Sequence, residues 1–505
     1  MSERSSNVAT PESRVDTALA ASRLSARSIT ARVVGAATPT TVVAGLVPTG
    51  IAATGGNGFP VTFVLVAIAF GLFCVGYLAA AQRFPPVEAS GAFYTLIGHG
   101  LGRITGVGAG WVAVAAYTAL TVGLYGLIGS TVTPLLEQVF AVTIPWQVVS
   151  VAAVLIVGWL GVINLETSTR LLLILVTCEI LMIAVVSIAN WFHPAPGGHE
   201  FVSLEPRLLL ASIAVSAARL ALGVLAFVGS ELTVVHAQDA RDGHRGVVRA
   251  TYATLVVLTV VYVLGSSGLS VTLGADQLVA AATANPGGVF VGTAQTNLGA
   301  VAATAVQILF ATSVLAGAVS FHGATSRYAY FLGRDRTAPG FLGRPGRRYG
   351  SPYIASLTQT SLAIATIVVG SVLHADPVLT LFYIGGTAGS AGILILLSLT
   401  SVAIAVMFLR SGTTHPARRG WVAAAAVTAS VLLGALTVTV LVTLDTLLGV
   451  APDSPLPTVV RLTYAAFFLA GVAWALGLRV RHPRAYATIA ETTTARQNQI
   501  VERGL

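Results

Sequence analysis

The sequence contains no lysine, only two cysteines and few charged residues of either sign. Charged residues make up 9% and hydrophobic residues 55% of the 505 residues, which is too little charge to cover a water-soluble globule of this size. Cys74 and Cys178 both lie in apolar runs, so no disulfide framework is indicated. Together with a mean hydropathy of +0.83, these features predict a membrane protein.

The 28 basic residues are therefore all arginine, and their placement is uneven. Most of them precede the first apolar run, follow the last one, or lie in alternate loops, where examples are Arg241, Arg245 and Arg249. The intervening loops hold only Arg207 and Arg461. Because cytoplasmic loops of membrane proteins collect basic residues, this pattern predicts an inner (plasma) membrane protein with both termini in the cytoplasm. The same pattern accounts for the net charge of +9 without a nucleic-acid partner.

Long, continuous apolar runs fill most of the chain and predict about twelve transmembrane helices rather than the alternating strands of a barrel. The predicted spans cover residues 33–54, 60–82, 104–133, 144–163, 169–192, 207–238, 247–273, 297–333, 353–373, 377–409, 420–447 and 458–480. The Gly-rich segment 85–103 is predicted to be an amphipathic surface or re-entrant piece. The first 30 or so residues lack an apolar core before a cleavage site, so no removable signal peptide is expected.

Glycine and proline interrupt two of these predicted helices. The first contains Gly45, Pro48 and Gly50, and the sixth contains Gly229 followed closely by Glu231. The two helices are five spans apart, which is typical of carriers built from two inverted repeats with a substrate site between the broken helices. The alternative is that glycine and proline give close packing or mild kinks in continuous helices.

Three stretches then resemble the amino acid–polyamine–organocation permeases. They are FVGSE (residues 227–231), DARDGHRGVVRATY (239–252) and SRYAYFLGRDRTAPGFLG (326–343), and EASGAFYTLIGHGLG (88–102) is similar to a fourth stretch of that family. The resemblance covers nearly all of residues 33–480. It implies an all-α polytopic protein with the 5+5 inverted repeat of a leucine-transporter-like fold, broken helices 1 and 6, and two extra C-terminal helices. The first span departs from the family pattern, since VVAGLVP stands where many members have a Gly-Ser-Gly-like triplet.

The predicted organisation follows from the spans and the resemblance together. It comprises a cytoplasmic tail (1–32), a first repeat (33–192), a second repeat (207–409), two further spans (420–480) and a second cytoplasmic tail (481–505).

Broken helices would expose backbone groups that lipid cannot satisfy, so the breaks must line a polar or ligand-filled cavity. In the first span the exposed amides would bind a substrate carboxylate, and in the sixth the exposed carbonyls would accept from a protonated amine. The predicted substrate-binding set is Val43, Ala44, Gly45, Ala226, Phe227, Val228, Gly229, Ser230 and Tyr125, with Tyr117 as a further pocket-lining candidate. The resemblance implies that Phe227, and Phe321 opposite it, form an aromatic gate, although large aromatics in helix bundles are mostly packing residues.

An ionised group deep in a bilayer is unfavourable by about 3 kcal/mol or more, so Glu179 and Glu231 are candidate proton carriers. Proton-coupled members of the family often have a lysine in span 5, at or next to the position of Glu179. The alternative for Glu231 is a structural acceptor for amides of the broken helix. Ser313 and Ser320 leave sodium open as the coupling ion. Arg219, His236 and His322 fit structural roles as well as functional ones.

These observations predict a secondary active transporter, not an enzyme, that carries an amino acid through the lipid bilayer by alternating access and is coupled to protons. No cofactor or metal is expected. The alternative carrier is a polyamine or organic-cation exchanger of the same fold. A channel or a membrane receptor is less favoured, because the sequence shows no charged pore ring, no repeated filter and no sizeable soluble domain.

Overall fold

The computed structural model describes residues 24–83, 91–163, 169–198, 202–209, 212–231, 233, 240–346, 351–410, 416–487 and 489. The predictions made for His236, for residues 1–23 and for residues 490–505 lie outside these ranges. Within them the chain is helical, and its single β pairing is an isolated parallel bridge between Leu24 and Ala240. The all-α prediction is confirmed.

Across the described part of the chain, eleven helical stretches are long and apolar enough to cross a membrane. In chain order the helices are α1 (Ala26–Ala36), α2 (Val47–Thr54), α3 (Phe59–Arg83), α4 (Ala92–Leu101), α5 (Arg103–Phe140), α6 (Trp146–Ile163), α7 (Thr169–Phe192), α8 (Ile213–Phe227), α9 (Gly243–Leu273), α10 (Ala275–Ala284), α11 (Val289–Leu298), α12 (Ala300–Arg334), α13 (Tyr353–Val372), α14 (Gly385–Arg410), α15 (Pro416–Val442), α16 (Leu444–Leu448), α17 (Leu456–Arg481) and α18 (Pro483–Ala487). Two π-helical segments, Thr41–Leu46 and Pro377–Ile384, lie before α2 and before α14.

Helix α8 corresponds to the sixth predicted span and is a shorter apolar helix than the other eleven. The prediction placed this span over residues 207–238, but the helix ends at Phe227. The sequence beyond it is apolar enough to continue a helix, and the backbone nevertheless leaves the helical conformation at Val228. Hydropathy alone therefore overestimated the length of this helix.

Small residues bring the long helices close together. A Cβ atom added at Gly471 of α17 would lie 2.9 Å from the Cα atom of Gly108 in α5, so the two backbones are in contact. Such contacts are a main source of helix association in membranes, where burial of apolar surface gives little driving force. Large apolar side chains such as Ile68, Ile188 and Val431 point outward and are more than half exposed, as expected of surfaces that face lipid.

The segment 85–103, which was predicted to be an amphipathic cytoplasmic surface or re-entrant piece, contains the ten-residue helix α4, and this helix is packed into the bundle rather than laid on its surface. Phe93, Leu96 and Ile97 are buried, and a Cβ atom added at Gly100 would lie 2.4 Å from the carbonyl oxygen of Ala403 in α14. Close approach to α14 thus requires glycine at this position. Residues 84–90 lie outside the described ranges.

Candidate functional site

The first span is interrupted at Ala37 and Thr38, between α1 and the π-helical segment. Thr38 has a φ of 49°, a left-handed conformation that is uncommon for a residue other than glycine. It precedes Pro39, which has no amide hydrogen and disfavours the α-helical conformation in the residue before it. The interruption therefore follows from the sequence ATPT. The prediction that the helix breaks around Gly45 is wrong, because the break lies nearly two turns earlier.

The predicted amide donors of the first span are in regular helical structure instead. Val43, Ala44 and Gly45 lie inside the π-helical segment, at whose end the Val47 amide bonds to the carbonyl of Val42. The Val43 side chain packs closely against Gly265, and Gly45 faces Phe310. The structure therefore places these three residues in a helical segment rather than in an unwound stretch.

The sixth span is interrupted where the sequence predicted. Helix α8 ends at Phe227, Val228 is extended with ψ at 132°, and Gly229 has a φ of 103° that favours glycine. A Cβ atom added at Gly229 would lie 3.4 Å from the carbonyl carbon of Ala36. The interruptions of the first and sixth spans are therefore in direct contact.

Tyr262 of α9 joins the two interruptions. Its hydroxyl lies 2.9 Å from the carbonyl oxygen of Ala226 and 3.3 Å from that of Ala37, and it donates to both. The side chain is fully buried. Sequence reasoning missed this residue, and its only signal was a tyrosine in the middle of an apolar helix.

Glu179 of α7 binds the start of the helical segment that follows the first interruption. Its Oε2 atom accepts from the Thr40 amide at 3.2 Å, the Thr40 hydroxyl at 3.0 Å and the Ser313 hydroxyl at 2.8 Å. The Thr41 amide donates in turn to the Ser313 oxygen at 3.4 Å. The carboxylate thus occupies the positive end of a helix, where anions are favoured.

Glu231 performs a similar task at the second interruption. It accepts from the Gly229 amide at 2.8 Å through Oε2 and from the Tyr117 hydroxyl at 3.1 Å through Oε1. Both carboxylates are 4% exposed. Neither takes part in an ion pair within the ranges that the structure describes, so amide and hydroxyl donors alone compensate their burial.

A small cavity lies beside the two interruptions. Its volume is about 40 Å³, which gives room for roughly three water molecules. It is lined by Ala37, Thr38, Thr41, Val42, Leu46, Leu120, Leu124, Leu225, Val228, Phe321, Phe382 and Gly386. The wall thus comes from the first and sixth spans, from α5 and α12, and from the start of the tenth span. An amino acid would enter only if side chains in this wall moved.

Two buried hydroxyls near the interruptions have no hydrogen-bond partner in the described part of the chain. They are the Oγ1 atom of Thr41, which lines the cavity, and the Oγ atom of Ser230. Thr41 is 4% exposed and Ser230 is 0% exposed. Because an unsatisfied buried hydroxyl costs about 1–3 kcal/mol, a ligand that bonds to these atoms would recover that free energy.

The structure brings only some of the predicted site residues to the cavity. Val228 and Phe321 line it, and Phe321 contacts Tyr117 with ring centroids 6.0 Å apart. Phe227 instead points into an aromatic cluster with Phe63, Phe70 and Tyr262. In this arrangement Phe227 does not cover the cavity, because its ring is fully enclosed by that cluster.

Tyr125 also lies away from the cavity, in contact with a buried histidine. Its hydroxyl is 3.5 Å from Nδ1 of His322, and Nε2 of His322 is 2.8 Å from the Ser356 hydroxyl. The chain of contacts connects α5, α12 and α13. His322 therefore has the surroundings of a hydrogen-bonded bundle residue.

Arg219 of α8 caps the end of α2. Its guanidinium donates to the carbonyl oxygens of Thr54 and Gly56 at 3.3 and 3.2 Å and to that of Leu208 at 3.1 Å. Carbonyls at the C-terminal end of a helix carry partial negative charge, so this cation stabilises the helix end. Its donors face backbone oxygens rather than the cavity.

Comparisons with known proteins agree with this architecture. A family model described as amino acid permease matches residues 24–476. Among solved structures, the crystal structure of a mutant manganese transporter from Eremococcus coleocola matches with a TM-score of 0.50 and 15% sequence identity, over 90% of this chain and 95% of that chain. At that identity the likeness shows a shared fold. No curated protein sequence matched the chain.

Proposed function

This chain belongs to the amino acid permease family, and on that premise we propose that it is a secondary transporter that carries an amino acid by alternating access, driven by protons. The observation that carries the proposal is the contact between two interrupted helices beside a small cavity. Breaks of this kind expose polar groups at membrane depth only where they line a cavity or bind a ligand.

The substrate contacts that we propose differ from those expected from the sequence. The amides of Thr40 and Thr41 already donate to Glu179 and Ser313, so the hydroxyl of Thr41 is the donor left for a substrate carboxylate. At the sixth-span break the Ala226 carbonyl accepts from Tyr262. The extended backbone at Val228 and the hydroxyl of Ser230 then provide the acceptors for a substrate amine.

Glu179 is the proposed proton site. All three of its hydrogen bonds reach one oxygen, Oε2, which leaves Oε1 for a proton. Protonation would weaken the charge-assisted bonds from Thr40 and Ser313. Thr40 lies between the interruption and Thr41, which lines the cavity. Protonation of Glu179 would therefore change the backbone conformation next to the cavity wall. The Ser313 oxygen beside the carboxylate keeps sodium as the alternative coupling ion.

The proposal includes an arrangement in the membrane. Residues 33–192 and 207–409 form the two inverted repeats, with one interruption in the first span of each, and residues 420–480 add two helices. Both termini are cytoplasmic in an inner (plasma) membrane, as the arginine distribution predicts. The alternative of a polyamine exchanger has little support, because none of the described residues that line the cavity is acidic.

The experiment is uptake of radiolabelled amino acids by the purified protein in liposomes with an imposed pH gradient, acidic outside. We expect saturable accumulation that stops when a protonophore collapses the gradient. Saturable exchange that ignores the pH gradient but follows a sodium gradient would overturn the proton coupling alone. Flux that rises linearly with concentration would overturn the carrier itself and indicate a channel.

A further inference from the structure

We propose that this cavity selects neutral amino acids with a small aliphatic side chain and that Phe382 and Gly386 set the size limit. The inference rests on the proposed function and specifies its substrate. It follows from the composition of the cavity wall: among the residues that the structure describes, its only polar side chains are those of two threonines, and none is charged or carries an amide.

Charge excludes most other substrates. The two buried acids near the interruptions are already occupied by Thr40, Ser313, Gly229 and Tyr117, and neither lines the cavity. A cationic or anionic substrate side chain would leave water and meet no opposite charge, which is strongly unfavourable. Basic amino acids, acidic amino acids and polyamines are therefore rejected.

The residues that would bind the α-amino and α-carboxylate groups of the substrate differ from those that would contact its side chain. Thr41 lines the cavity from the first span, and its hydroxyl has no hydrogen-bond partner in the described part of the chain. The apolar part of the wall that lies outside the first and sixth spans consists of Leu120 and Leu124 from α5, Phe321 from α12, and Phe382 and Gly386 from the tenth span. A substrate oriented by the interrupted helices would direct its side chain toward this apolar wall.

Gly386 is a position in the cavity wall where a methyl group can be added without a steric clash in the protein. A Cβ atom added there would lie 3.6 Å from the Cδ2 atom of Leu225, an ordinary van der Waals contact. Alanine therefore fits the protein and takes space from the substrate. Phe382 is 6% exposed and lies one turn earlier along the chain, so shortening it to leucine adds space to the same wall.

The first test is competition for uptake in liposomes by glycine, alanine, valine, leucine, arginine, glutamate and putrescine. We expect the small aliphatic amino acids to compete at least tenfold more strongly than arginine, glutamate or putrescine. Accumulation of arginine or glutamate in preference to alanine and valine would overturn the inference and leave amino acid transport intact. Accumulation of putrescine without any amino acid would overturn the proposed function as well.

The second test compares size variants by the ratio of leucine to alanine uptake, since a general loss of folded protein lowers both rates equally. Gly386→Ala should lower that ratio about tenfold and Phe382→Leu should raise it, because one methyl or methylene group in an apolar pocket changes discrimination by about 10 to 200-fold. Gly434→Ala is the matched control, since a Cβ atom at Gly434 meets nothing within 4 Å. An unchanged ratio in both cavity variants, or an equal change in the control, would overturn the assignment.

Discussion

The two interrupted helices are each held by a buried carboxylate, but the carboxylates come from different places. At the first interruption Glu179 comes from α7, a separate helix, and binds the Thr40 amide and hydroxyl. At the second interruption Glu231 comes from the same segment as the Gly229 amide that it accepts from. One contact spans two helices, and the other is local.

The contact between Glu179 and Thr40 can therefore change during transport, whereas Gly229 and Glu231 move together as parts of one segment. If α7 moves relative to the helical segment that contains Thr40, the Glu179 contact must break or rearrange, whereas the bond from Gly229 to Glu231 is preserved in any rigid movement of the sixth span. The contact from Tyr117 to Glu231, by contrast, joins α5 to the sixth span. We therefore assign coupling to Glu179 and a structural role to Glu231.

The largest expected effect is in Glu179→Gln. Glutamine retains an acceptor for Thr40 but cannot bind and release a proton, so pH-driven accumulation should fall to the level of protein-free liposomes while exchange partly persists. Uptake with and without the pH gradient measures this directly. Glu137→Gln, at an exposed acid near the end of α5, is the control and should leave accumulation unchanged. Driven uptake that survives in Glu179→Gln would remove the coupling assignment.

The next effect concerns the hydroxyl of Thr41. Thr41→Val keeps the shape of the side chain and removes a hydroxyl that has no hydrogen-bond partner among the described residues. We expect the substrate Kd to rise about tenfold or more, since a hydrogen bond to a charged group contributes about 1.5–3 kcal/mol. Binding is measured by the ligand-induced shift in Tm.

The control for this experiment is Thr254→Val in α9, where another fully buried hydroxyl lacks a partner but lies outside the cavity wall. Its Kd should match that of the unmodified protein. Equal effects of the two substitutions would show that the Thr41 hydroxyl does not contact the substrate.

The third prediction concerns the structural role of Glu231, which the free energy of unfolding of its variants tests. Glu231→Ala should lower the free energy of unfolding by about 1–3 kcal/mol, because it leaves the Gly229 amide buried without an acceptor. Glu231→Gln should cost less than half of that, since its amide oxygen can still accept from Gly229. Thermal unfolding provides the measurement. Proton-driven uptake should persist in Glu231→Gln, and its loss would place coupling at both carboxylates.

The smallest expected effect is in Tyr262→Phe. The variant loses the donor to the carbonyls of Ala226 and Ala37, so we expect a loss of about 1 kcal/mol in stability together with slower uptake. Tyr464→Phe removes a comparable bond, to the Ala388 carbonyl at 2.7 Å, away from the interruptions. It should reduce stability alone. Similar uptake in the two variants would mean that Tyr262 does not position the interrupted helices.

The sequence predicted those features that depend on neighbouring residues. Gly229 followed by Glu231 marks the second interruption because the glycine permits the positive φ and the acid satisfies the adjacent amide. The first interruption was misplaced because proline occurs twice in that span, and the effective signal was Pro39 rather than Pro48. The two prolines look alike in a single sequence, and only the contacts of Glu179 and Ser313 with the segment that follows Pro39 distinguish them.

Features that depend on residues distant in the chain could not be predicted from the sequence. Nothing local in FVGSE indicates that Phe227 turns toward Phe63 and Phe70 rather than toward the cavity. The bridging hydroxyl of Tyr262, the π-helical segment of the tenth span and the apolar wall around Gly386 all arise from helices far apart in the chain. The sequence therefore predicted the fold and singled out Glu179 and Glu231, whereas the residues of the cavity wall could be identified only from the structure.

The most direct test of the account is an experimental structure determined with saturating alanine or valine. We expect ligand density beside the interruptions of the first and sixth spans, within hydrogen-bonding distance of the Thr41 hydroxyl, with the aliphatic group against Phe382 and Gly386. Ligand density elsewhere, with Thr41 and Ser230 still unpartnered, would contradict it.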